Sequence, residues 1–486
     1  MPATHQSRAV SPDHTPHRNH TGGQNHTGGQ HRTGRQNRTG FRRDLLAEVP
    51  AILRLAVPVI VGLVSGTLMG VVDTLMIAPL GTDALAAAGL ATSALILVHS
   101  GLFGLLSVTM VAVAQAHGAG DLTRLAGAVG TGLRLAAAAS LGVAALMLLA
   151  FPAFSLLSGD AAVRDLLLPY WAAMAAMTVP YALFGVLRGL YNAVGRPWAG
   201  VWAALAGVAL NIPLNGLLIH GAGLGLAGAG LASLIAKTLA LTLLVRHWRR
   251  APMMARYRRA DTGAAGLFAV AGSWRGAAHH VRQGWAVALG SLGEGGAYAV
   301  TGLMMAGFGT AALAAHQAVH AIGAVLYMVP MGMTAAVAVR MGQAVGAGDS
   351  HRYRPIWAAA NGVMLAWAAL VFAPLLMLRG PLAGALSTEP AVAALAATLF
   401  VTMACVQFAD GLQSIALGAL RGRTDNRTPN LISLGVYWLF ALPLAALAGF
   451  ALNLGPGGVL AGYALGVLTA ALILQHRFWS GTRAIP

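Results

Sequence analysis

Apolar runs of about 20 residues recur along the chain, separated by short segments of Gly, Pro and Arg. Runs of that length cross the hydrocarbon layer of a bilayer as helices. Lipid offers no partner to a free backbone N–H or C=O, so each run must satisfy its own hydrogen bonds and cannot be an open strand. The period-two alternation of a membrane barrel is absent. The pattern predicts twelve spans: 51–80, 84–112, 127–152, 162–188, 198–219 and 224–246, then 279–308, 312–340, 355–378, 391–419, 430–452 and 457–477. Twelve spans put both termini on one side of the membrane.

The pattern also repeats. Gly81-Thr82-x-Ala84-Leu85-Ala86-Ala87 returns as Gly309-Thr310-x-Ala312-Leu313-Ala314-Ala315, and Gln115-Ala116-x-Gly118-Ala119-Gly120-Asp121 returns as Gln343-Ala344-x-Gly346-Ala347-Gly348-Asp349. One offset of 228 residues relates both pairs, and 14 of the 41 positions from Gly81 to Asp121 are identical without a gap. The chain is thus two copies of one six-span unit. An even number of spans makes both copies enter from the same side, so the axis relating them runs along the membrane normal. A site between or within the copies is the first place to look for function.

Composition supports the membrane reading and narrows the rest. The 486 residues are 57% hydrophobic and only 9% charged, too few charges to coat a soluble protein of this length. The net charge of +17 would point to nucleic acid in a soluble chain. Here the arginines fall in the tail and loops, where membrane orientation explains them better, and no nucleic-acid partner is expected. Arg42, Arg43, Arg124, Arg188, Arg196, Arg352, Arg354, Arg421, Arg423, Arg427, Arg477 and the linker all fall on one face, against little beyond Arg164 and Arg379 on the other. Positive-inside then puts both termini and the linker in the cytoplasm, and a bacterial inner membrane is the expected location. The single cysteine, Cys405, excludes an intramolecular disulfide and a cysteine-rich metal site.

The organisation expected is a tail (1–44), a first lobe (45–246), a basic linker (247–278) and a second lobe (279–486). The tail is polar and repeats Asn19-His20-Thr21-Gly22-Gly23-Gln24, so it is expected to be disordered. Its His5, His14, His17, His20, His26 and His31 match no fixed-geometry metal site, and no short apolar region follows that would make it a signal peptide. An amphipathic stretch on anionic lipid is one use of the linker; joining the lobes is the simpler one.

Of 14 acidic residues, only Asp73, Glu294 and Asp410 fall well inside predicted spans. Each would cost ~2.5–3.5 kcal/mol or more at the bilayer centre if it faced lipid, so each is expected to face a cleft, a partner or a bound cation. A buried carboxylate without a fixed partner can exchange a proton, Na⁺ or an organic cation. The alternative is a permanent ion pair, but basic residues are scarce in these spans. Asn211 and Asn215 are four apart on one helix face, Pro213 frees a carbonyl between them, and Ser233 follows on the next span. These oxygens suit a carboxylate or a small hard cation, although asparagine also serves to join helices. Lys237, one turn beyond Ser233, is a candidate charge partner of Asp73; it can equally snorkel to the cytoplasmic surface. His99, His316 and His320 lie at membrane depth as packed or proton-relaying histidines. Met304, Met305, Trp285, Tyr298, Tyr327, Gln317 and Phe408 are candidates for a cavity wall facing flat cations, with ordinary packing the alternative.

These residues resemble the multidrug and toxin extrusion (MATE) family, in its NorM-like branch, over nearly everything from Leu45 to Arg477. The resemblance rests on Leu55-Ala56-x-Pro58 followed by Val72-Asp73-Thr74, on Leu210-Asn211-Ile212-Pro213-Leu214-Asn215, and on Glu294 in the seventh span. It continues in Ala314-Ala315-His316-Gln317 with Met328-Val329-Pro330-Met331, and in Asp410 followed by Gly418-Ala419-Leu420-Arg421-Gly422. It implies an all-α integral membrane protein whose 12 transmembrane helices form two six-helix lobes in a V, related by a pseudo-two-fold axis along the membrane normal. It implies an antiporter that exports organic cations in exchange for H⁺ or Na⁺. It assigns Asp73, Asn211, Asn215 and Ser233 to a cation site in the first lobe, and Glu294 and Asp410 to one in the second. Two departures, with Lys237, point toward protons. Asn215 stands where some members have an acid, and Val406 stands one turn before Asp410 where NorM-like members often have an aromatic.

No cofactor is expected beyond the coupling ion, no metal centre, and no enzyme chemistry, because neither a nucleophile–base cluster nor a phosphate-binding Gly-Lys-Ser/Thr loop is present. The expected partners are the bilayer and small cationic amphipathic compounds, and the expected state is a monomer. The alternative within the fold superfamily is a flippase for a lipid-linked sugar or cell-wall precursor. That would want a cationic cavity, whereas the cleft candidates are mostly acidic.

Overall fold

Helices account for nearly all of the described residues. A computed structural model describes residues 29–156, 161–255, 257 and 273–483; residues 29–39, 162, 253 and 483 are described by backbone alone. Asp44–Pro486 forms one compact unit and Met1–Arg43 another.

In the first lobe α1 is Gly29–Ile77, α2 Thr82–Gly118, α3 Leu122–Ser155 and α4 Ala161–Ala193. α5 (Trp198–Asn215) runs on through a π-type turn, Gly216–Gly221, and α6 is Gly225–Arg250. In the second lobe α7 is Trp274–Ala306, α8 Thr310–Gly346 and α9 Tyr353–Met377. A short α10 (Arg379–Leu386) follows, then α11 (Pro390–Gly422) and α12 (Arg427–Val436). The twelfth-from-start helix continues through π-type turns at Tyr437–Ala441 and Leu447–Ala451, with Leu442–Ala446 between them, and α13 is Gly455–Arg483.

Eleven described helices are long and apolar enough to cross a membrane. α7 completes the twelve at 33 residues. Arg275, His279, His280, Arg282 and Glu294 lower its apolar character, and it packs against α2, α3 and α12. Its glycines make that packing close: a Cβ on Gly293 would collide with Leu434, and one on Gly290 would lie 2.8 Å from Asn430 Oδ1.

The duplication is visible in the packing. A Cβ on Gly104 of α2 would lie 2.8 Å from the Ala288 Cα of α7. A Cβ on Gly332 of α8 would collide with Ile60 of α1. The offset of 228 carries one contact onto the other, residue for residue. The Gly-Asp that ends each repeated motif makes the same turn: Gly120 has φ +70° and Gly348 φ +71°, a left-handed conformation that a side chain would strain. Asp121 then caps α3 by accepting from the Arg124 amide at 2.8 Å.

Three expectations need amendment. Backbone from Gly29 is helical, whereas 1–44 was expected to be disordered; lengthening an existing helix needs no new nucleus. Residues 1–28 and half of the linker, 256 and 258–272, lie outside the described residues, and with them any amphipathic stretch there. α10 was expected to be loop: it follows a helix ended near Pro374 and is too short to show a periodicity of its own.

Candidate functional site

In the first lobe, α1, α5 and α6 bring Asp73, Asn211, Asn215 and Ser233 together. Asn215 Nδ2 donates to Asp73 Oδ1 at 2.6 Å, and Ser233 Oγ donates to Asp73 Oδ2 at 2.7 Å. Behind them Asn215 Nδ2 also reaches Asn211 Oδ1 at 3.1 Å, and Asn211 Nδ2 reaches Ser233 Oγ at 3.4 Å. Both asparagines are fully buried. The i, i+4 spacing places their amides on one face, and the turn after Pro213 departs from α-helix into the π-type turn. Asn215 Oδ1 is buried without a hydrogen-bond donor among the described residues. Lys237 lies within electrostatic reach of Asp73 and of Arg188, yet among the described residues it makes no ion pair within 4.0 Å.

Arg188 was counted with the loop arginines; α4 runs on to Ala193 and places it beside Gly62 of α1 and Gly200 of α5. His99 stacks on Tyr181 at 3.8 Å, and its Nε2 is buried without a hydrogen-bond partner among the described residues.

In the second lobe, Tyr327 Oη donates to Glu294 Oε1 at 2.8 Å. Asp410 of α11 lies within electrostatic reach of Glu294, and among the described residues nothing donates a hydrogen bond to it. Tyr327, Tyr437 and Tyr463 lie within electrostatic reach of both acids, and Tyr298 within reach of Asp410. Tyr463 meets Tyr298 edge-on at 6.2 Å and Tyr437 at 6.3 Å. Tyr437 Oη donates to Gln413 Oε1 at 2.9 Å, and Gln413 Nε2 donates to Ser433 Oγ at 3.1 Å. Val406 is buried in the lobe core. Tyr437 and Tyr463 are buried in the same core, and Tyr298 of α7 and Tyr327 of α8 are half-buried. Arg421 also reaches Glu294 electrostatically and donates to Asn430 Oδ1 at 2.9 Å. It was expected in a loop; α11 extends to Gly422 and carries it into the lobe.

The remaining wall candidates divide. Met305 is fully buried in the second-lobe core and Met304 packs half-buried against it. Gln317 is exposed and Phe408 half-buried. His320 stacks on Tyr298 at 4.2 Å, with His316 at 5.5 Å from the same ring. Trp285 lies under the Arg427 guanidinium at 5.6 Å.

Sequence reasoning missed how the lobes close on each other. The two repeated Gln-Ala-x-Gly motifs meet: a Cβ on Gly118 would collide with the Gln343 carbonyl, and one on Gly346 with the Gln115 carbonyl. Gln115 Nε2 donates to the Gly422 carbonyl at 3.0 Å, and Gln343 Nε2 donates to the Ala193 carbonyl at 2.9 Å. Each glutamine thus caps the last turn of a helix in the opposite lobe. Beside this clasp Glu48, 3% exposed, pairs across the lobes with Arg340 at 2.9 Å and with Arg352. Glu48 read as a helix-end acid; Arg340 at the edge of an apolar run was the available signal.

Comparison with known proteins bears on the whole chain. The MatE family profile matches residues 58–217 and 286–447, one segment in each lobe. A protein of Deinococcus radiodurans called probable multidrug resistance protein NorM is 36% identical over 461 residues, covering 90% of this chain and 96% of its own. A Bradyrhizobium diazoefficiens protein of the same name is 34% identical, with 90% and 94% covered. The Vibrio cholerae MATE transporter VcmN in its bent form superposes with a TM-score of 0.80 at 19% identity, over 91% of this chain and 98% of its own. With six spans in each lobe, the same offset in motif and in packing, and a profile that matches both halves, the chain belongs to the MatE family of multidrug and toxin extrusion proteins.

Proposed function

We propose a secondary antiporter that exports small cationic, amphipathic compounds across the bacterial inner membrane in exchange for H⁺ or Na⁺. The observation that carries this reading is the second-lobe pair. Glu294 and Asp410 lie within reach of each other, Arg421 is the basic group that reaches Glu294, and the half-buried Tyr298 and Tyr327 lie within reach of the pair. Two carboxylates opposed by one guanidinium favour one more positive charge, and half-exposed tyrosine faces favour that charge on a flat organic ion. The relatives' name, multidrug resistance protein, supports the substrate class.

The cycle follows from competition. From the outside a coupling ion neutralises the embedded acids and weakens their hold on the drug. On the inside the ion leaves, and the free carboxylates bind the next cation. The ion drives the lobes only through unequal affinity for the two conformations. Asp73 and the unpartnered Asn215 oxygen offer the first lobe a place to hold it. An asparagine at 215, with Lys237 within reach of Asp73, favours protons over Na⁺. Both termini would lie in the cytoplasm and the protein would act as a monomer.

Inverted vesicles test this by uptake of a cationic dye under a pH gradient alone and a Na⁺ gradient alone. Uptake is expected with the pH gradient. Uptake driven by neither gradient would remove the antiport reading, and uptake with Na⁺ alone would reassign the ion.

A further inference from the structure

At the arginine-rich end of the first lobe a groove of about 620 Å³ opens between α1, α5 and α6. Arg54, Arg196, Trp198, Trp202, Leu243 and His247 line it. Arg54 and Arg196 are exposed, and neither has an acidic partner within 4.0 Å among the described residues. Trp198 is 46% exposed and Trp202 64%, one helical turn apart, with ring centroids 6.2 Å from each other. His247 Nδ1 lies 2.8 Å from Tyr191 Oη, which fixes the imidazole as part of the wall.

These features suit different parts of one molecule. An unpaired guanidinium presents a planar fork of donors that matches a phosphate. An exposed indole is most stable where hydrocarbon meets water, with its ring in the apolar layer and its N–H outside. Its lining falls at the ends of the predicted spans 51–80, 198–219 and 224–246 that the positive-inside rule assigns to the cytoplasmic face. We propose that it binds the phosphate headgroup of an anionic phospholipid of the inner leaflet, held by Arg54 and Arg196 with Trp198 and Trp202 against its glycerol and upper acyl carbons. Free phosphate would satisfy the arginines but leave both indoles uncovered.

The test uses the purified full-length protein in neutral detergent. It is titrated with phosphatidylglycerol, phosphatidylcholine or inorganic phosphate; bound lipid is counted by native mass spectrometry and the melting temperature recorded. Phosphatidylglycerol is expected to be retained and to raise the melting temperature by several degrees, and the other two are not. The double variant R54Q/R196Q should lose about tenfold in lipid affinity. R249Q/R250Q removes the same charge from exposed arginines of α6 outside the groove and should keep it. If R54Q/R196Q fails to fold, R196Q alone, in the α4–α5 turn, carries the same comparison. Equal retention of phosphatidylcholine, equal loss in both double variants, full retention without the groove arginines, or the same stabilisation by inorganic phosphate would each overturn the proposal.

Discussion

The two lobes share a scaffold and differ in charge. At the clasp they are near copies, with Gly118 against Gln343 and Gly346 against Gln115. At the acids they are not. The offset of 228 places Thr301 opposite Asp73 and Gly66 opposite Glu294, so each lobe's carboxylate is its own. In the first lobe, neutral amide and hydroxyl donors hold one carboxylate, with Lys237 in its reach and Arg188 in reach of Lys237. In the second, two carboxylates lie within reach of each other, Arg421 reaches Glu294, and Asp410 receives no hydrogen bond among the described residues. A carboxylate fully engaged by donors has little left for a large guest; a bare one beside aromatic faces has much. Duplication has therefore kept symmetry at the clasp and dropped it at the acids. On the proposed antiport, the cationic drug would compete with the coupling ion at the second-lobe acids, and Asp73 would be left to the ion.

The largest effect should come from removing that surplus charge. Paired Glu294→Gln and Asp410→Asn should abolish drug resistance in an expressing strain while membrane levels stay unchanged. Resistance that survives the pair would remove the second lobe from the cycle.

Next is the symmetric part of the comparison. Gly346→Val forces a side chain into the Gln115 backbone and should cost the closed arrangement ~1–3 kcal/mol. Gly118→Val should do the same against Gln343, since the two positions are equivalent. Distance measurements between spin labels on α2 and α8 would report both as a shift toward separated ends. A shift in one variant only would mean that the clasp is not two-fold in effect.

The smallest effect is expected at Lys237, which makes no close ion pair among the described residues. Lys237→Gln should leave drug affinity within about threefold of the parent, less than 1 kcal/mol, and should move the pH dependence of efflux. A large loss of drug affinity instead would place the lysine in the drug site.

Much of this was legible in the sequence because the bilayer is a strict solvent. Apolar length gave all twelve spans, and the scarcity of acids singled out Asp73, Glu294 and Asp410. The i, i+4 asparagines were readable as one face, and the structure sets them against Asp73. What was not legible depends on where helices end and on partners distant in the chain. Arg188 and Arg421 read as loop residues because apolar runs stop before helices do; α4 and α11 continue to Ala193 and Gly422. Tyr437 and Tyr463 carried no spacing signal, since a buried tyrosine packs like any aromatic until an acid faces it. Glu48 finds Arg340 and Arg352 only after roughly three hundred residues of chain have folded back, and no local pattern encodes that.

The most direct measurement is the affinity of a fluorescent organic cation for the purified protein and for Glu294→Gln, Asp410→Asn and Asp73→Asn. Each second-lobe variant should weaken binding by about tenfold or more, ~1.4 kcal/mol, while Asp73→Asn stays within about threefold. Tight binding in both second-lobe variants, with loss in Asp73→Asn, would contradict the proposed placement of the drug at the second-lobe acids.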